Sequence, residues 1–144
     1  MSENEKERDD LISTYIRKHR VKVEKSLKEI TPAIFSNFLI EKDASQTCLS
    51  CGSSKLVVPE STDLVMADGD LVRYNSPLYE ERIDESNRFI DYVSYSKIDP
   101  DSEISFSNVQ YTVHCMNCGF MAQYKAGIVV SWYLKETKKS KDDE

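Results

Sequence analysis

All four cysteines of the 144-residue chain fall in two copies of one pattern, Cys48-Leu49-Ser50-Cys51-Gly52 and Cys115-Met116-Asn117-Cys118-Gly119. A Cys-x-x-Cys turn aims both sulfurs at one point, and the following glycine lets backbone amides approach them. Two such turns supply four soft thiolates, a donor set suited to a tetrahedral Zn²⁺ ion with bonds of about 2.3 Å. Four thiolates also suit an iron–sulfur cluster, and in an oxidising compartment they close as two disulfides. The N-terminal stretch MSENEKERDD is acidic and polar, unlike a secretory signal or an Arg-rich transit peptide. It predicts a cytoplasmic chain with reduced cysteines, which favours a metal over disulfides. A thioredoxin-type redox pair needs a βαβ setting that neither pair has. An ion held by four protein sulfurs keeps no position open for water, so its expected role is structural.

With short apolar runs beside them, the two Cys-x-x-Cys-Gly knuckles resemble the zinc-ribbon family, in which knuckles on β-hairpins clamp one structural zinc ion. The resemblance is confined to the knuckles and their flanking strands. It implies Cys48, Cys51, Cys115 and Cys118 as the four ligands of one Zn²⁺ per chain. The 63 residues between Cys51 and Cys115 are more than ribbons commonly hold there. They are expected to build an elaborated sheet or an inserted subdomain.

No other constellation for chemistry stands out. His114 abuts Cys115 and reads as a strand residue beside the knuckle. His19 lies on the apolar stripe of a helix and reads as packed between helices. No Ser, His and Asp arrangement, phosphate-cradling glycine loop or helical His-Glu-x-x-His is present. The chain is therefore expected not to be an enzyme.

Charge narrows the partners. The net charge is −6, yet residues 48–114 alone carry twelve acidic residues against five basic ones. Duplex-binding proteins present a basic face, whereas this segment would repel phosphate. The expectation is a non-enzymatic structural-zinc protein that acts through a protein partner, a basic one by charge, as a regulator or inhibitor. Tyr74, Tyr79, Tyr92 and Tyr95 lie among those acids, and tyrosine is enriched at interfaces; each reads equally well as a half-buried strand residue. The alternative is a nucleic-acid-binding transcriptional or RNA-related regulator. Its contacts would be Arg17, Lys18, Arg20 and Lys22, which also read as a solvated helix face. No apolar run approaches the ~20 residues of a membrane helix.

The elements that must position these residues are of two textures. Ile12, Ile16, His19, Val23, Leu27 and Ile30 recur at steps of three or four, predicting a helix over residues 5–30. The stripe is also compatible with a homodimer through that helix. Thr31-Pro32 caps and restarts a second helix at about 32–42. From Cys48 onward the pattern is β. LVVPES and DLVMADGDLVRYN suggest a hairpin turned at ADGD. The stretch over residues 80–98 fits helix or strand, with strand preferred. Ile104 to Val113 reads as a strand with a phase slip near Ser107-Asn108, and further strands are expected at 119–125 and 128–135. The fold class is α+β: a helical segment (1–43), a zinc-ribbon-like antiparallel β-domain with a long acidic insertion (44–136), and a disordered tail (137–144).

Overall fold

The structure, a computed structural model, describes residues 3–65, 71–73 and 88–142. The elements run α1 (Glu3–Leu27), α2 (Pro32–Glu41), β1 (Leu56–Val57), β2 (Glu60–Val65), β3 (Leu71–Arg73), β4 (Arg88–Val93), β5 (Tyr95–Lys97), β6 (Val109–Cys115), β7 (Met121–Lys125) and α3 (Ala126–Asp142). Helices and antiparallel sheets together form the expected α+β class.

The helical pair forms where its local signals put it. Thr31 Oγ1 accepts from the Ile34 amide at 3.2 Å, and Pro32 opens α2. These satisfy a donor that a helix start leaves open and fix its first φ. α1 ends at Leu27, whose carbonyl accepts from the Tyr111 hydroxyl at 2.9 Å. The stripe on α1 divides in two. Val23, Leu27 and Ile30 are fully buried. Residues 3–22, with Ile12, Ile16 and His19 among them, are exposed except for half-buried Thr14. His19 therefore does not pack between helices; its ring stacks on Tyr15 with centroids 6.3 Å apart.

β6 organises the larger sheet. β7 pairs along one of its edges, from Gln110↔Lys125 to His114↔Met121. Along the other edge β5 pairs at Val109–Tyr111 and β1 at His114–Cys115. β3, β2 and β4 form a second antiparallel sheet. The chain passes between the two sheets at matched breaks, where the Ser94 amide donates to the Pro59 carbonyl at 2.9 Å. Residues 88–93 and 95–97, within the ambiguous stretch, are strand. The ADGD turn and the segment holding Tyr74 and Tyr79 lie outside the described residues.

Side chains on β6 alternate strictly, with Val109, Tyr111, Val113 and Cys115 turned inward. Val109, Tyr111 and Val113 meet Val23, Leu27, Ile30, Phe35 and Phe38 from the helical segment and Val129 and Val130 from α3 in one hydrophobic cluster. Phe35 packs on Tyr111 and on Tyr124, with ring centroids 5.6 and 5.7 Å apart. Each such large side chain contributes about 1.5–3 kcal/mol on burial. Residues 23–39 and the β-region thus share a core.

Three expectations are corrected. Residues 98–108 are a loop rather than a bulged strand, because buried Asn108 serves as its centre. Its side-chain amide donates to the carbonyls of Asp99, Ser102 and Glu103, and its side-chain oxygen accepts from the Asp99 amide at 2.8 Å. Residues 128–135 are helix, not strand. Ala126, Val129 and Val130 are buried and Tyr133 packs against the core, a helical spacing that overrides the β-branched composition. Finally, α3 runs on through residues 137–142, which were expected to be disordered.

Gly127 explains how α3 starts so close to the preceding loop. A Cβ there would sit 2.7 Å from the Phe106 carbonyl oxygen. Gly127→Ala would gain about 1 kcal/mol in helix propensity, but overpacking costs about 1–3 kcal/mol and the obstacle is backbone. We expect a net destabilisation of up to about 2 kcal/mol, read as a lowered midpoint in urea unfolding. An unchanged or raised midpoint would mean that the loop at Phe106 yields.

Candidate metal centre

Each Cys-x-x-Cys-Gly segment folds into the same small turn, and the two can be superposed bond for bond. The Cys48 amide donates to the Ser53 carbonyl, and the Gly52 amide to the Cys48 carbonyl, both at 2.8 Å. Likewise the Cys115 amide donates to the Phe120 carbonyl at 2.8 Å, and the Gly119 amide to the Cys115 carbonyl at 3.0 Å. Closing the turn requires positive φ at its fifth residue, +77° at Gly52 and +83° at Gly119, the conformation glycine adopts without penalty. Within each turn two amides point at the first sulfur. Ser50 and Cys51 donate to Cys48 Sγ at 3.3 and 3.5 Å. Asn117 and Cys118 donate to Cys115 Sγ at 3.4 and 3.5 Å. Amides arranged this way stabilise negative charge on sulfur.

The sheet brings the turns together. β1 leaves the first knuckle and pairs with the end of β6, Leu56 opposite Cys115. The Met116 amide donates to the Lys55 carbonyl at 2.8 Å. As a result Cys48, Cys51, Cys115 and Cys118 place their sulfurs within 4.8 Å of one another. The contacts run across the two knuckles: Cys48 to Cys118 at 3.6 Å and Cys51 to Cys115 at 3.7 Å. A tetrahedron with bonds of about 2.3 Å has edges of about 3.8 Å, so the four residues fit one tetrahedral metal ion. A disulfide needs about 2.0 Å, and all four cysteines are free.

The thiols are electrostatically unequal. The Asn117 side-chain amide, 3.4 Å from Cys51 Sγ, and then the Ser53 backbone amide pull the Cys51 thiol down to about 6. The Cys118 and Asn117 amides hold Cys115 below the ordinary thiol range despite desolvation. The Phe120 amide lowers Cys118, but Cys51, burial, Cys48 and Cys115 together outweigh it and push its thiol up to about 11. Four thiols this close do not all ionise beside one another. A bound cation reverses the penalty and deprotonates them outright.

The other candidate residues are not gathered here. His114 Nε2 lies 2.9 Å from Thr112 Oγ1, and it is not among the four clustered donors. Tyr92 is 6 % exposed, and its hydroxyl donates to Asp63 at 3.0 Å. Tyr95 is half-buried, packed on the core and against Tyr92 with centroids 6.0 Å apart. As a partner-binding residue Tyr92 is thus corrected: its ring has almost no surface left to offer. Arg17, Lys18, Arg20 and Lys22 are exposed on the free part of α1.

Two features escaped the sequence reading. Lys28 Nζ lies 2.8 Å from Asp63 Oδ2 in a buried pair that joins the turn after α1 to β2. Large apolar side chains also stand exposed on and beside the knuckles: Leu49, Val57, Met116, Phe120 and Met121. The second had a signal, since an apolar residue directly follows the first cysteine of each turn. Among the described residues no helix is long and apolar enough to cross a membrane. Compared with protein-family models, curated proteins and solved structures, the chain matches none.

Proposed function

We propose that this chain is a non-enzymatic protein held by one structural zinc ion, and that it acts by binding a protein partner, with regulation or inhibition as the effect. The observation that carries the reading is an apolar surface borne by the metal knuckles themselves. Leu49 is 74 % and Met116 66 % exposed, at the second position of each turn. Across the sheet, Val57 pairs with His114 and His114 with Met121, so the three side chains lie in one row on the face away from the core. A cleft of about 500 Å³ opens beside Cys48, lined by Leu39, Ile40, Leu49, Leu56, Phe120 and Tyr124. Grouped apolar side chains of this kind mark interaction sites more often than isolated ones do. A metal that fixes two turns rigidly lowers the ordering cost of presenting them to a partner. Four sulfur ligands leave the ion no coordination position for a substrate, which supports a non-enzymatic role. The acidic excess of residues 48–114 favours a basic partner.

The test is affinity capture with zinc-loaded protein, with and without nuclease, run beside the surface variant Met116→Glu/Met121→Glu. A protein that binds the parent after nuclease treatment and is lost from the variant supports the reading. Partners that vanish with nuclease, and persist with the variant, replace it with nucleic-acid binding through Arg17, Lys18, Arg20 and Lys22.

A further inference from the structure

Residues 3–22 of α1 extend beyond the shared core for 20 residues, a helical length of about 30 Å. In proteins, helices owe most of their stability to the packing of an apolar face rather than to intrinsic propensity. This stretch has such a face. Leu11 and Tyr15 are each 72 % exposed, and Ile12 and Ile16 stand in solvent beside them.

We infer that two copies of this chain associate through the free part of α1, side by side and antiparallel. The charge distribution identifies the occupant as a second copy. Residues 3–10 hold five acidic and two basic residues; residues 17–25 hold five basic and one acidic. One half of the helix complements the other half, a match that two-fold symmetry uses twice in an isologous interface. A parallel pair would set like charge on like at both ends.

The spacing gives the register. Glu5, Arg8, Ile12, Tyr15, His19 and Lys22 follow at alternating steps of three and four, the repeat of a two-helix seam. Antiparallel pairing about the midpoint of Ile12 and Tyr15 sets Ile12 against Tyr15 of the second copy. The same operation sets Glu5 against Lys22 at both ends. Arg8 meets His19, the one step that gains nothing. Leu11 and Ile16 flank the centre and widen the apolar contact. Arg20 lies 3.9 Å from Glu24 of its own helix, an exposed pair that yields readily to a better one.

Sedimentation equilibrium of the zinc-loaded chain tests this. We expect a species of twice 16.6 kDa that becomes monomeric with Tyr15→Lys. Lys22→Glu should raise the dimer dissociation constant by about tenfold, since two end contacts turn repulsive. The swap Glu5→Lys/Lys22→Glu should restore it. Circular dichroism of each variant checks that α1 remains helical. A monomer at every concentration, or a dimer untouched by Tyr15→Lys, overturns the inference; a swap that fails to restore what Lys22→Glu lost overturns the register. The inference stands apart from the partner reading, because a dimer that captures nothing, or a monomer that captures a protein, separates the two.

Discussion

Removing the metal is expected to dismantle the end of the sheet where β1 meets β6, and with it the cooperative unfolding of the chain. Besides the ligand sulfurs, little else joins the two knuckles among the described residues: the short β1–β6 pairing, the Met116–Lys55 bond and the Asn117 side-chain amide on Cys51 Sγ. Structural zinc contributes on the order of 10–16 kcal/mol in zinc-finger peptides, against total stabilities of about 5–15 kcal/mol for whole domains. Chelation, or Cys51→Ser or Cys118→Ser, should therefore lower the unfolding midpoint far more than any single core truncation. Trp132 reports on the consequence, since it packs on Phe38 at 5.5 Å and donates to Glu41 at 2.7 Å. We expect its emission to shift to the red while much of the helical circular dichroism survives. Elemental analysis should find one zinc and no iron per chain; iron with visible absorbance would replace zinc by a cluster. A bound zinc ion would lower the folded-state thiol pKa values far below their unfolded value of about 8.5. Its stabilisation would then be present near and above that value, and lost as pH falls and protons displace the ion. A metal-free protein with an unchanged midpoint and unshifted emission would sink the structural role.

The cysteines and the helix restart were legible because their signals are local. A Cys-x-x-Cys-Gly turn closes on its own backbone, with glycine at the positive φ, and Thr31-Pro32 caps α2 within four residues. What the sequence does not display is anything set by contacts distant along the chain. Residues 128–135 carry a β-branched run that reads as strand; burial of Ala126, Val129 and Val130 against β6 and the helical pair makes it helix. Asn108 looks like a slip in an alternating strand, yet four hydrogen bonds to residues 99–103 make it the hub of a loop. Tyr92 sits among acidic residues and so resembles an interface tyrosine. Its acidic neighbour Asp63 is in fact a buried partner 29 residues away. Lys28 reads as one more solvated lysine of the first helical pattern, and only the fold shows what it faces.

That lysine carries the second large effect. Asp63 is 1 % exposed on β2. One of its oxygens lies 2.8 Å from Lys28 Nζ and the other accepts from the Tyr92 hydroxyl at 3.0 Å. The ammonium also sits 5.6 Å from the centre of the Tyr92 ring, within range of a cation–π attraction. Asp63→Ala would leave Lys28, with a side chain only 10 % exposed, as an uncompensated charge between α1 and the three-stranded sheet. Breaking a buried pair on one side costs about 3–5 kcal/mol, enough to lower the melting temperature by about 10–20 °C in a chain of this size. Removing both charges is a different experiment. Lys28→Met with Asp63→Leu exchanges the pair for apolar contact, which in comparable buried pairs is neutral or stabilising. The double variant should therefore recover most of the loss, and the cycle should show strong coupling between the two sites. Tyr92→Phe removes the hydroxyl that donates to the carboxylate, and should cost about 1–3 kcal/mol. If Asp63→Ala cost no more than an exposed salt bridge, below about 1 kcal/mol, water would have to reach the pair. The lock between α1 and β2 would then have to come from apolar packing alone.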